Sequence, residues 1–154
     1  MTQTTGRAPE AASRIRWGRI VLAALMSEAG VILVLLSAIA GYTVFTPSIT
    51  DAQSPTLGED IGYYVAPATG AVTTFLAVLW AARGLTSAVV AHGTLVGLVS
   101  MLLGAGFIFT ARPDHRAMYI VAFVLRLLGG YAGGLFVQSR VNARSAGTTI
   151  DQPV

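Results

Sequence analysis

Apolar residues crowd into four long runs, at 20–45, 63–82, 87–110 and 119–138, and polar residues gather between them. Each run reaches the roughly 20 residues a helix needs to cross a hydrocarbon core of about 30 Å. The pattern predicts an all-α integral membrane protein, a four-helix bundle running up-down-up-down. It fills a single membrane domain over residues 1–154, with 1–16 and 141–154 as flexible tails, one outer loop and two tight turns.

Composition agrees with the pattern. Hydrophobic residues make up 54% of the 154 and charged residues 11%, against about 25% charged in a soluble domain. Mean hydropathy is +0.68. There is no cysteine, which excludes disulfides, thiolate chemistry and Cys-ligated zinc or iron–sulfur sites. No cofactor and no metal are expected. The expected partners are the lipid bilayer and other membrane subunits, in a homo-oligomer or a larger membrane complex, and not nucleic acid.

All ten basic residues are arginine, and their placement orients the chain. Arg7, Arg14, Arg16 and Arg19 precede the first span, Arg83 lies between the second and third, and Arg140 and Arg144 follow the fourth. Only Arg112 and Arg116 lie on the other side. Positive flanking residues stay inside, so both termini are expected in the cytoplasm. The segment 46–62, with Asp51, Glu59 and Asp60 and no basic residue, belongs outside. Trp17 and Trp80 then mark the inner interface, and Tyr42, Tyr63, Tyr64 and Tyr119 the outer one. The basic leader, apolar run and Ala38-Ile39-Ala40 have the outline of a secretory signal. The run is too long for an h-region and carries Glu28, so an uncleaved anchor is expected.

Two opposite charges stand inside apolar runs: Glu28 in the first and Arg126 in the fourth. Hydrocarbon tolerates isolated charges poorly, so these two are expected to pair or to face a polar cavity. At about 1.5 Å per residue, Glu28 lies about 13 Å above Arg19, and Arg126 about 15 Å below Arg116, near the midplane. First and fourth helices are neighbours in an up-down bundle, which would let the pair close directly. His92, nine residues past Arg83, is expected at the depth of Glu28, as a third member of the polar core: hydrogen-bonding glue or a proton relay. His115, in the outer Arg112-Pro113-Asp114-His115-Arg116 turn, is expected to be solvated.

Small residues indicate the packed faces. Gly93, Gly97, Ser100 and Gly104 line the third span, and Gly129-Gly130 and Gly133-Gly134 double the pattern on the fourth. Ala122, Arg126, Gly130 and Gly134 share one face. Helices in lipid associate through close backbone approach, which glycine permits. In the second span, Pro67 is expected in the first turn, and Thr69, Gly70, Thr73 and Thr74 follow it.

An acid mid-way in an Arg-flanked first span, Pro67, Ala-Ala-Arg at 81–83, His-Gly-Thr-Leu-Val-Gly at 92–97, Arg126 and Gly-Gly-Tyr-Ala-Gly-Gly at 129–134 follow one another along the chain. In this order the chain resembles uncharacterised bacterial four-helix inner-membrane proteins over roughly 17–138. The resemblance implies a multi-pass protein of the bacterial inner membrane. The outline is also similar to that of small multidrug resistance transporters, which carry an essential acid in the first helix. Glu28 would match that acid. The acidic outer loop, the greater length, the lack of the later aromatic motif and the presence of Arg126 depart from that pattern.

Three function classes follow. The leading expectation is a non-enzymatic structural or accessory membrane protein with a Glu28, Arg126 and His92 polar core. The alternative is a small proton-coupled transporter that uses Glu28 as the exchanging carboxylate. An intramembrane enzyme ranks last, because no triple of nucleophile, base and orienting group is present in the sequence.

Overall fold

The structure, a computed structural model, describes residues 15–46, 54–110 and 112–147. All secondary structure among them is helical. Four helices of 16 residues or more, α1 (Trp17–Phe45), α2 (Ser54–Ala81), α3 (Val89–Gly104) and α5 (Arg116–Gly147), are joined by a single-turn α4 (Phe107–Thr110) and a 3-10 turn at Pro113–His115. α1, α2 and α5 are long and apolar enough to cross a membrane. Arg7, Arg14, Asp51 and residues 148–154 lie outside the described residues.

The third apolar run, 87–110, is not one helix. α3 has 16 residues, about 24 Å of rise against a hydrocarbon thickness of about 30 Å. It begins only after Ala88, which is left-handed at φ 53°, and it ends at Gly104-Ala105-Gly106, where two low-propensity glycines flank a turn. The other helices overrun their apolar windows in the polar direction. α2 begins at Ser54 with Pro55 in its first turn, and α5 continues to Gly147, so residues 141–147 are helical and not tail. Pro67 consequently falls in the interior of α2, where it removes one i→i−4 hydrogen bond, and not in a first turn.

Packing is small-inside and large-outside. Ala23, Ala24 and Ser27 of α1, Ala77 and Ala81 of α2, and Gly93, Gly97 and Ser100 of α3 are buried, with Ile20, Val78 and Val96 as the bulkier members of the core. Leu33, Leu36, Leu102 and Leu128 are each more than half exposed. Such a surface would be a liability in water and is the expected one against acyl chains.

Arrangement departs from expectation in one respect that bears on the charges. α1 packs against α2 and α3, α5 packs against the same two, and α2 meets α3 across the middle, whereas α1 and α5 face each other across the long diagonal. The first and last helices are therefore not neighbours. The reason lies on α5: its Gly129 and Gly133 take α2, its Gly130 and Gly134 take α3, and no small-residue seam remains for α1.

Candidate functional site

Arg126 leaves α5 at the centre of the bundle and is 5% exposed. Its side chain crosses the long diagonal and brings Nη1 to 2.9 Å from Glu28 Oε1 on α1. Along the way it runs between α2 and α3. A Cβ on Gly70 of α2 would lie 2.7 Å from Arg126 Nε and 3.1 Å from Cγ, and a Cβ on Gly104 of α3 would collide with Nη1. Two glycines on opposing helices thus form the passage for the guanidinium, which touches all three other long helices.

The guanidinium is sparsely hydrogen-bonded. Nη1 donates to the carbonyl of Ser100 at 3.4 Å and stands 2.9 Å from Glu28 Oε1. Nε is buried and unpartnered, facing the bare backbone at Gly70. Glu28 is the less enclosed member, with 16% of its side chain exposed against 7% for Arg126.

A hydroxyl cluster adjoins the pair one turn away. Ser27 Oγ lies 2.9 Å from Thr74 Oγ1 and 3.2 Å from Thr73 Oγ1, which ties α1 to α2. Thr73 also donates back to the carbonyl of Thr69 at 2.9 Å. On the other flank, Ser100 Oγ of α3 points at the Ala24 carbonyl of α1 at 3.5 Å. These hydroxyls glue helices together, and among the described residues Ser27 engages threonines and not Glu28.

His92 is not part of this core. It is buried, but its Nε2 accepts the backbone N–H of Arg16 at 3.1 Å, just before α1 starts, twelve residues from Glu28, and its Nδ1 lies 2.9 Å from the carbonyl of Ala88. The two contacts suit the tautomer with hydrogen on Nδ1. The depth expectation fails because residues 83–88 form a turn and contribute no helical rise, which leaves His92 only in the first turn of α3. Its role there is to pin the entry of α1 to α3, supplying a partner to a helix end that has no side-chain cap of its own.

The glycines sort by face. Gly93 and Gly130 approach closely enough that a Cβ on either would lie 2.5 Å from the other's carbonyl oxygen, Gly97 meets the backbone of Arg126 and Leu127, and Gly134 meets Val90. Gly129 would strike the Ala71 carbonyl and Gly133 the Val78 side chain. Gly104 stands apart from the seam, since it accommodates the arginine.

A second charged cluster, at the end of the bundle where α2 begins, is absent from the sequence-based expectations. His115 is buried, contrary to the solvated placement. Its Nε2 lies 2.8 Å from Arg112 Nη2, its Nδ1 3.3 Å from Glu59 Oε1, and its ring 4.6 Å from that of Tyr63. Arg112 also reaches Asp60 at 3.6 Å and Asp114 at 3.3 Å. The available signal was the acidic pair 59–60 and a basic turn that the sequence-based topology puts on the same side, where opposite charges attract. The turn shelters His115 because the ring of Tyr63 covers it.

No protein-family model, curated protein or solved structure matches the chain, so the site stands on its own geometry.

Proposed function

We propose that this chain is a non-enzymatic structural or accessory membrane protein, held by an intramembrane Glu28–Arg126 lock, that works within a homo-oligomer or a larger membrane complex. The observation that carries this reading is the course of Arg126. A guanidinium threaded between two glycines and closed on a carboxylate across the bundle is committed to holding four helices together. A transporter acid has to be released to meet substrate, and here the cation that faces it is covalently fixed.

The reading includes an up-down-up-down course with both termini on the cytoplasmic side of a bacterial inner membrane. Contact order supports the course: Ile39 lies near Gly58 while Ser27 meets Thr74, and Gly97 lies near Arg126 while Gly93 lies near Gly134, each a reversed order. Charge distribution supports the orientation. Arg19, Arg83, Arg140 and Arg144 gather at one end, whereas Arg112 at the other is offset by Glu59, Asp60 and Asp114.

The test combines stability with transport. Glu28→Gln and Arg126→Gln should each lower unfolding free energy in detergent by about 3–5 kcal/mol, because each strands the other charge, and the double variant should recover most of the loss. Protein in liposomes under an imposed cation gradient should move no protons beyond the protein-free control. Proton movement abolished by Glu28→Gln would replace the lock with the proton-coupled transporter reading.

A further inference from the structure

Where α2 begins, two bases compete for the same three carboxylates. Arg112 and His115 stand at the two ends of the 3-10 turn that leads into α5. Glu59 Oε1 lies 3.7 Å from Arg112 Nε and 3.3 Å from His115 Nδ1. Asp60 Oδ1 lies 3.6 Å from Arg112 Nη2 and 4.0 Å from His115 Nε2, and Asp114 Oδ2 lies 3.3 Å and 3.7 Å from the same two atoms. Each acid is thus within reach of both bases. Tyr119 of α5 stands close enough to Glu59 to feel its charge, and Arg116, next along the chain, forms no ion pair among the described residues.

The contact between the two bases decides which of them holds the acids. Arg112 Nη2 is 2.8 Å from His115 Nε2, and a guanidinium can only donate, so Nε2 accepts and the ring is neutral with its hydrogen on Nδ1. A proton on Nε2 would set N–H against N–H and cation against cation at that distance, and the two would have to part. Only one of them is free to move. The His115 side chain is 10% exposed and lies under the ring of Tyr63, whereas that of Arg112 is 42% exposed and ends a long flexible stem. The guanidinium can swing into water, and the imidazole stays where it is.

We propose that this cluster is a clasp that exchanges its cation with pH. When His115 takes up a proton on Nε2, the imidazolium keeps Glu59 and takes over Asp60 and Asp114, and the Arg112 guanidinium is released to the surface. Imidazole is the side chain that gains its proton between about pH 5 and 8. The tie between α2 and the turn into α5 survives the exchange, because Nδ1 already faces Glu59 and the Arg112 backbone N–H donates to Glu59 Oε1 at 3.2 Å whichever way its side chain points. Acid therefore frees an arginine without opening the bundle. The clasp shares no residue with the Glu28–Arg126 lock and does not depend on the scaffold reading.

The test is the cost of Arg112→Gln at two pH values, read as the thermal unfolding midpoint of the full chain in dodecyl maltoside. The substitution should lower the midpoint by about 3 °C at pH 8, where Arg112 holds the acids, and by no more than about 1 °C at pH 5.5, where His115 holds them. In a His115→Gln background it should cost the same at both pH values, since the competing cation is gone. A pH dependence that persists there would come from the carboxylates themselves and would overturn the exchange. Ring-nitrogen resonances of 15N-histidine protein follow the proton without altering the clasp, with His92→Gln to tell the two histidines apart. His115 should be the Nδ1–H tautomer at pH 8 and doubly protonated at pH 5.5. A ring still neutral at pH 5.5, or an Arg112→Gln cost that does not change with pH, would also overturn the proposal.

Discussion

Gly70→Ala places one methyl group where Arg126 crosses the bundle, and its cost can be worked from the structure. The new Cβ would lie 2.7 Å from Nε, whereas ordinary contact begins near 3.4 Å, so the guanidinium must retreat by about 0.7 Å. Behind it stands α3, where the guanidinium already occupies the space a Cβ on Gly104 would take. Retreat therefore strains both helices and lengthens the ion pair from 2.9 Å to at most about 3.6 Å, the limit in which the whole displacement lies along the pair. With an effective dielectric constant of about 20, the attraction weakens by at most about 1 kcal/mol. Overpacking adds about 1–3 kcal/mol, and the better helix propensity of alanine returns about 1. The net expectation is a loss of up to about 3 kcal/mol. In a Glu28→Gln/Arg126→Ala background the obstructing atoms are gone, and Gly70→Ala should become neutral or stabilise by up to about 1 kcal/mol. Unfolding by sodium dodecyl sulfate in mixed micelles, followed by helical circular dichroism and by the fluorescence of Trp17 and Trp80, measures both. The same destabilisation in both backgrounds would show that Gly70 does not serve Arg126, and the threading argument would fail.

Single cysteines at Ser54 and Ser145 should separate the two faces: an impermeant thiol reagent on intact cells should label the first and not the second, and the reverse would invert the proposed orientation. Gly129→Ala should cost more than Gly133→Ala, about 3 kcal/mol against about 1, because the first drives a methyl deep into the Ala71 carbonyl, whereas at the second the nearest atoms, Val78 Cβ at 3.0 Å and the Phe75 carbonyl oxygen at 3.2 Å, need give by only a few tenths of an ångström. The same detergent titration ranks them, and a reversed order would mean that the α2–α5 seam lies elsewhere. His92→Leu should leave the Arg16 N–H unpaired, costing about 1 kcal/mol and accelerating amide exchange at the entry to α1. Unchanged exchange there would remove the clamp assigned to His92.

How far the site could be read from the chain depends on which physical law was being applied. The cost of a lone charge in hydrocarbon does not depend on fold detail, and it alone was enough to point Glu28 at Arg126. Counting residues brought Glu28 and Arg126 to one level of the bundle because the chain is helical from Arg19 to Glu28 and from Arg116 to Arg126. It failed for His92 because the counted residues 83–88 form a turn. Adjacency of first and last helices failed for a different reason: helix neighbours are chosen by which faces allow close approach, and α5 spends both its glycine seams on α2 and α3. That choice determines the lock. Were α1 beside α5, Glu28 and Arg126 would meet along a shared edge and Gly70 would need no special property. Placed across the diagonal, the arginine must pass through the middle of the bundle, and a passage there exists only if both α2 and α3 are bare at its depth. Gly70 and Gly104 are thus consequences of a charge pair on two other helices, a dependence among four positions that no single span can display.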